Sequence, residues 1–361
     1  YEGMLIRLPQ TLSVTNLRNL EAFGAVGLSE GGRLYQFTNA SAPERRGYAA
    51  HKTLNAQRSI ELDDGKRSAY PELIRILKAG PTPAYSIRMG DTITGVTGNL
   101  RYSRGSGGRG DESWRLMPTT EPQFNPVNPR PDKPSVGGSL RVASFNANNF
   151  FSTVDSGQRV CGPRREDSCR GADSAEELQR QLLKIAAALA MIDADIVGLI
   201  ELENNESASL KLIVDALNER IGSGEYAYLS TGMIHEDAIK TGFVYKPSTV
   251  TLLGAFALLD QSVDSRFNDD RNRPALAQSF EVSTTGAVFT VIVHHLKSKG
   301  SSCDEDGDPN LDDGQANCNR TRADAAAAIT DWLATDPTGS NDADFLIIGD
   351  LNAYVREDPL T

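Results

Sequence analysis

Residues 195–204 read DIVGLIELEN. The apolar run DIVGLI has the length and β-branched content of a short buried strand, and it stops at a carboxylate, Glu201. The same form recurs three times. Residues 140–145 (LRVASF) run into Asn146. Residues 287–295 end in two histidines, His294 and His295. Residues 344–348 (DFLII) lead to Gly349-Asp350, with Asn352 two places on. Four apolar strands that each close on a chemically able residue suggest strand ends gathered around a ligand.

Helices separate only some of these strands. Ser174 with Glu177 three residues later fits a capping box. It opens a helix whose Leu178, Leu182, Ile185 and Leu189 share one face. Further helices are expected over 208–221 and 321–334, and strands near 226–230, 241–246, 250–258 and 275–282. Adjacent strands without intervening helices predict an α/β fold of two packed sheets, a four-layer sandwich, rather than a doubly wound sheet.

Upstream the pattern changes. Residues 118–139 hold six prolines and a Gly-Gly pair, the composition of an extended linker. Residues 1–117 show short alternating runs at 4–8, 11–15, 33–37 and 92–96, broken by Gly, Asn and Pro, which predict a small all-β barrel or sandwich. Residues 101–109 (RYSRGSGGR) read as a basic hairpin or loop. The expected organisation is a β domain over 1–117, a linker over 118–139 and an α/β domain over 140–361.

The chain of 361 residues has a net charge of −11, which excludes a uniformly basic nucleic-acid binder. The charge is unevenly placed. Residues 1–117 carry 16 Lys/Arg against 11 Asp/Glu, a net of +5, and the remainder carries 21 against 37, a net of −16. No run approaches the ~18 apolar residues of a membrane span. The four cysteines form two local pairs in polar stretches without a nearby His. They read as the disulfides Cys161–Cys169 and Cys303–Cys318, and so as an oxidising compartment. The sequence begins at Tyr1 without Met or leader and stops soon after an apolar run, so a piece of a longer protein is expected.

Carboxylates, amides and an imidazole at strand ends form a chemical set. Hard oxygen ligands select Mg²⁺ or Mn²⁺, and Ca²⁺ is admitted by the same donors. Such a cation neutralises a phosphate, and an imidazole moves protons near neutral pH. The set suits phosphate-ester hydrolysis. A strand alternates sides, so Asp350 and Asn352, and likewise Glu201 and Glu203, are expected to point the same way, whereas His294 and His295 must oppose each other.

The motifs RVASFNANNF, DIVGLIELEN, DAIKTGFVYKP, RNRPALAQSF, VIVHHLKSKG and FLIIGDLNAY, in this order, resemble the endonuclease/exonuclease/phosphatase superfamily, whose fold is that of pancreatic-type deoxyribonuclease. The first 117 residues and the paired cysteines resemble bacterial secreted nucleases with an N-terminal OB-like domain. The resemblance implies Glu201 as the principal metal ligand, assisted by Asn146, and His295 as general acid or electrostatic stabiliser. It implies that Asp237, next to Glu236, orients His295, and that Asp350 and Asn352 position the metal, the phosphate or the attacking water. Arg273 and Arg271 would hold the nucleic-acid backbone. Tyr102, Arg101, Arg104 and Arg109 would supply part of a single-strand surface. The implied partner is DNA, with RNA admitted, and a secreted monomer is expected. The family's closing Ser-Asp-His motif does not occur in these residues. Three readings follow: a secreted metal-dependent nuclease; a phosphomonoesterase or sphingomyelinase-type enzyme with the same site; and a non-catalytic nucleic-acid binder. The acidic run CDEDGDPNLDDGQANC (303–318) lacks the EF-hand spacing and reads as a solvated, disulfide-braced loop rather than a Ca²⁺ site.

Overall fold

A computed structural model describes residues 1–66, 75–77, 87–105 and 112–361. The chain divides into two compact units, residues 1–132 with 312–314, and residues 133–311 with 315–361.

In the first unit, β1 (Leu5–Asn16), β2 (Ala25–Glu30), β3 (Ser59–Asp63), β4 (Thr92–Ser103) and β5 (Ser113–Pro118) pair in the order β1-β2-β3-β5-β4. Pairing of β1 with β4 closes the ring, with Leu5 opposite Asn99 and Ser13 opposite Thr92. Long β1 serves both neighbours by bending at a register shift between Leu8 and Thr11, beside Pro9. Val14, Val26, Leu28, Leu62 and Leu116 fill the barrel and are fully buried.

Two expectations for this unit need correction. It is not all-β: besides the single turn α1 (Leu20–Phe23), a helix α2 spans Arg45–Arg58. The Glu44 carboxylate caps α2 by accepting the N–H groups of Arg46 and Gly47. Good helix formers build α2, but none of its residues is buried, so it has no apolar stripe to reveal it. Residues 33–37 are not a strand. Gly31 and Gly32 end β2 at positive φ, and the Leu34 N–H then donates to Thr15 Oγ1 instead of a ladder carbonyl. Inside the stretch expected as linker, β6 (Phe124–Asn125) pairs with β4.

In the second unit, β7 (Val142–Phe150), β10 (Ile196–Glu203), β11 (Ala227–Tyr228) and β12 (Ile239–Tyr245) form one sheet in the order β11-β12-β10-β7. A small hairpin, β8 (Arg159–Cys161) with β9 (Asp167–Ser168), follows β7. The second sheet contains β13 (Val250–Leu259), β14 (Arg273–Val282), β15 (Val288–His295) and β16 (Phe345–Asp350), in chain order. Helices α3 (Ala175–Ile192) and α4 (Ala208–Ile221) cover the outer face of the first sheet, where Leu182, Ile185 and Leu189 meet Val197, Leu199 and Leu202. Ser174 Oγ accepts the Glu177 N–H at 3.2 Å, as the capping pattern predicts. Helix α5 (Asn319–Leu333) covers the outer face of the second sheet. Between the sheets lie Ile196, Ile200 and Phe243 from one side and Leu276, Phe280, Val291 and Val293 from the other. The unit is therefore mixed α/β with two sheets packed face to face, as the strand runs predict. Both disulfides form, Cys161–Cys169 and Cys303–Cys318.

Candidate active site

Each sheet contains one parallel pair, β7 with β10 and β15 with β16. Parallel neighbours end at the same edge, so their last residues come together. Across the second sheet, Arg273 is the register partner of His295, and His295 of Asp350, which sets a guanidinium, an imidazole and a carboxylate in one row. Across the first sheet, Asn146 lies opposite Ile200. Ile348 and Val142 both belong to the intersheet layer, and Asp350 and Asn146 extend the same rows past its edge. The Asn146 side chain joins the two sheets: its Nδ2 donates to Glu201 Oε1 at 3.2 Å and to Asp350 Oδ2 at 3.4 Å.

Glu201 reaches this place through a break in its strand. Val197 and Leu199 face the helices, so simple alternation would bury Glu201 there too. Instead β10 slips register against both neighbours before Leu202, and Glu201 takes φ 60°. Leu202 then fills the helix layer, and Glu201 turns to the strand end. Its Oε2 accepts the N–H of Asn149 at 2.9 Å, and Asn149 is itself left-handed at φ 55°. Glu203 does not share this face, contrary to the alternation argument. It is buried and accepts from Ser152 N–H, Ser152 Oγ, Thr153 N–H and Asn205 Nδ2 at 2.7–3.0 Å. The segment after β7 is thereby tied down.

His295 is buried, with Nε2 3.7 Å from Glu201 Oε1. Burial lowers its pKa and Arg273 adds to the effect, while Asp350, Glu201 and Asp237 oppose it. His294 faces the opposite way, as predicted, and is almost fully buried. Burial pushes its pKa down to about 4, so the ring is neutral at pH 7.

Asn352 does not continue the extended row of Asp350. Its φ is 48°, its N–H donates to Asp350 Oδ1 at 2.8 Å, and its Nδ2 donates to the Leu296 carbonyl at 3.0 Å. It braces Asp350 from behind. Asp237 faces arginines: Oδ2 lies 3.0 Å from Arg273 Nε and Oδ1 lies 3.7 Å from Arg170 Nη1. Asp237 was expected to orient His295; among the described residues, His295 Nδ1 makes no hydrogen bond. Arg271 Nε is 2.6 Å from Asp306 Oδ2 in the acidic loop. Asp308 of that loop accepts from Thr321 N–H and Oγ1 at 2.8 Å each, so two of its alternating carboxylates have protein partners. In the barrel, Tyr102 and Trp114 are exposed register partners with ring centroids 5.1 Å apart. Arg109 lies outside the described residues. Sequence reasoning missed Asn149, Arg170 and Trp114. Only the run NANN before Phe150 carried a signal, because Asn tolerates left-handed backbone.

Among the described residues, no three His, Cys, Asp or Glu side chains surround one cation position. The donor chemistry nevertheless fits a hard divalent ion. Two carboxylate oxygens, from Glu201 and Asp350, converge on a single exposed amide group.

The endonuclease/exonuclease/phosphatase family model matches residues 143–361, more than half of the sequence. The chain belongs to the endonuclease/exonuclease/phosphatase family. Members are typically hydrolases of phosphoester bonds that use divalent metal ions, and they include nucleases, phosphatases and phosphodiesterases. Similar solved structures include a family protein from Bacteroides thetaiotaomicron, 19% identical over 59% of this chain and 63% of that one, TM-score 0.39. A mannosyl-6-phosphatase of the same organism is 20% identical over 59% of this chain and 66% of its own, TM-score 0.39. D. rerio TDP2 complexed with single-strand DNA product is 15% identical over 59% and 60%, TM-score 0.34. The chain thus spans 60–66% of the length of these relatives. A comparison with curated proteins gives no match. Among the described residues, no helix is long and apolar enough to cross a membrane.

Proposed function

We propose that this family member is a secreted, divalent-metal-dependent nuclease that hydrolyses phosphodiester bonds of extracellular DNA, with RNA open to the same chemistry. The observation that carries the reading is the row Arg273–His295–Asp350 meeting Asn146 and Glu201 at one edge of two sheets. Two features support the substrate class. The sequence up to residue 117 has a net charge of +5 in a chain of −11. The strand order β1-β2-β3-β5-β4 with β1–β4 closure is that expected of an OB-like barrel, a fold that binds single strands. The two disulfides support secretion.

Glu201 and Asp350, with Asn146 beside them, would hold Mg²⁺ or Mn²⁺. The bound ion supplies charge stabilisation at the phosphate and the leaving oxygen. Arg273 offers a guanidinium fork to a phosphate oxygen and is oriented by Asp237. The neutral His295 ring takes the proton of the attacking water, and the imidazolium so formed is held by the nearby Glu201 and Asp350 carboxylates. The leaving oxygen, on the opposite side of the phosphorus in an in-line displacement, takes its proton from solvent, and the imidazolium returns its own to water. Asn352 keeps Asp350 in place throughout.

Nicking of supercoiled plasmid by the full natural protein tests this reading. Activity should require Mg²⁺ or Mn²⁺, vanish in EDTA and vanish in Glu201→Ala. EDTA-resistant nicking would overturn it. Release of free phosphate or phosphocholine with DNA left intact would assign the site to phosphomonoesters or sphingomyelin. Salt-sensitive binding without cleavage in any metal would assign a non-catalytic binder.

A further inference from the structure

A nucleic acid carries a charge at every link, so a site that cleaves one link also meets the phosphate beside it. Lys297 stands two residues past His295. Leu296, between them, is fully buried in the layer against α5, and its N–H extends the ladder by donating to the Asp350 carbonyl at 2.9 Å. Lys297 follows His295 just beyond the end of β15 and is half-buried. The Lys297 backbone is fixed at both ends. Its N–H donates to Asn272 Oδ1 at 2.9 Å, and its carbonyl accepts from the buried Arg322 at 3.1 Å.

The surroundings of the Lys297 ammonium are cationic. Burial and the charges of Arg273, Arg271 and Arg170 disfavour its proton, and Asp237 offsets them in part. Asp237 is already shared by Arg273 and Arg170, and Arg271 is paired with Asp306. Two other lysines have their charge disfavoured by burial, and both have acceptors. Lys240 donates to the Glu206 and Gly232 carbonyls and to Thr231. Lys299 pairs with both oxygens of Glu357. Lys297 alone of the three has no protein acceptor for its ammonium among the described residues. A partly buried cation whose backbone is held by Asn272, between Arg271 and Arg273 in sequence, is an arrangement completed by an anion.

We infer that Lys297 and Arg170, with Arg271 and Arg273 beside them, form a second phosphate subsite for the backbone phosphate next to the one at His295. This inference rests on the nuclease reading and sharpens it: a phosphomonoester has no second phosphate to offer. Arg170 follows Cys169, so the Cys161–Cys169 bridge anchors one wall of the subsite.

The test is fluorescence anisotropy of a short fluorescein-labelled DNA duplex with the full natural protein, in EDTA so that nothing is cleaved. Salt is varied between about 50 and 200 mM. Lys297→Gln should weaken binding about fivefold at low salt and make the slope of log affinity against log salt shallower by about 0.9, the share of one phosphate. Arg170→Gln should act in the same direction, and Lys297→Arg should restore the slope. Unchanged affinity and slope in both glutamine variants would overturn the subsite, as would no binding of duplex by the unsubstituted protein. Binding that depends on Lys297 in a protein that never hydrolyses DNA would keep the subsite and sink the nuclease reading. Hydrolysis that is indifferent to both variants would do the reverse.

Discussion

Gly349 and His294 touch backbone to backbone across the parallel pair of β15 and β16. A Cβ on Gly349 would overlap the His294 carbonyl oxygen, and Gly349 adopts φ 143°, a region that L side chains avoid. The following residue is Asp350, so the close approach of these strands sets the carboxylate beside His295. Gly349→Ala should therefore destabilise the protein by at least the ~1–3 kcal/mol of ordinary overpacking, since backbone cannot rotate aside. Urea denaturation measures the loss, and plasmid nicking should fall with it. An unchanged midpoint would mean that the strands can part freely.

His294 makes stability depend on pH. Its pKa is about 4 when folded and near 6.5 when unfolded. Above pH 6.5 the ring is neutral in both states and has no effect. Below it, the unfolded chain takes up a proton that the folded one refuses. Stability then falls by about 1.4 kcal/mol per pH unit until pH 4 is neared. His295, shifted in the same direction, adds to the fall. Denaturation midpoints at pH 7, 6 and 5 should drop less steeply in His294→Leu than in the parent. Parallel profiles would contradict the buried neutral ring.

Glu203 is predicted to matter for folding more than for chemistry. Its carboxylate satisfies four donors of the segment following β7 and of Asn205. Glu203→Ala removes the acceptor of these part-buried donors, at about 1–3 kcal/mol in all. A loss of about 3 kcal/mol in chemical denaturation is expected, with partial recovery in Glu203→Gln, whose amide oxygen still accepts.

If Arg271 holds the nucleic-acid backbone as proposed, Asp306 would compete with the substrate for it. The pair is close, at 2.6 Å, and only partly buried. Asp306→Asn should raise duplex affinity a fewfold at low salt, and the gain should disappear as salt screens it. Weaker binding would mean that Arg271 needs the loop to position it. Calcium calorimetry on Glu201→Ala should show no heat from this loop, because Asp306 and Asp308 already serve Arg271 and Thr321.

The sandwich was legible because its signals are local and redundant: apolar strand runs, a Ser174 cap and a periodic stripe in α3. Arg273 opens β14 and His295 and Asp350 close β15 and β16, whereas Glu201 lies near the end of β10 and Asn146 within β7, opposite Ile200. What escaped the reading had no periodicity to betray it. Helix α2 buries no face, and the turn at Glu201 breaks the very alternation used to place it. Asn352 likewise leaves the extended row at φ 48°. The partners of Asp237 could not be read either, because Arg170 comes from the far side of a disulfide hairpin and only the folded chain brings it near.

The slip in β10 makes chain length part of the candidate site. Upstream of Glu201, odd-numbered positions are packed beneath the helices; downstream, that duty passes to Leu202. Removing one residue at the slip would restore strict alternation and swing the carboxylate into oil. The reach of the Glu201 carboxylate to the strand end thus rests on a single-residue offset in the central strand.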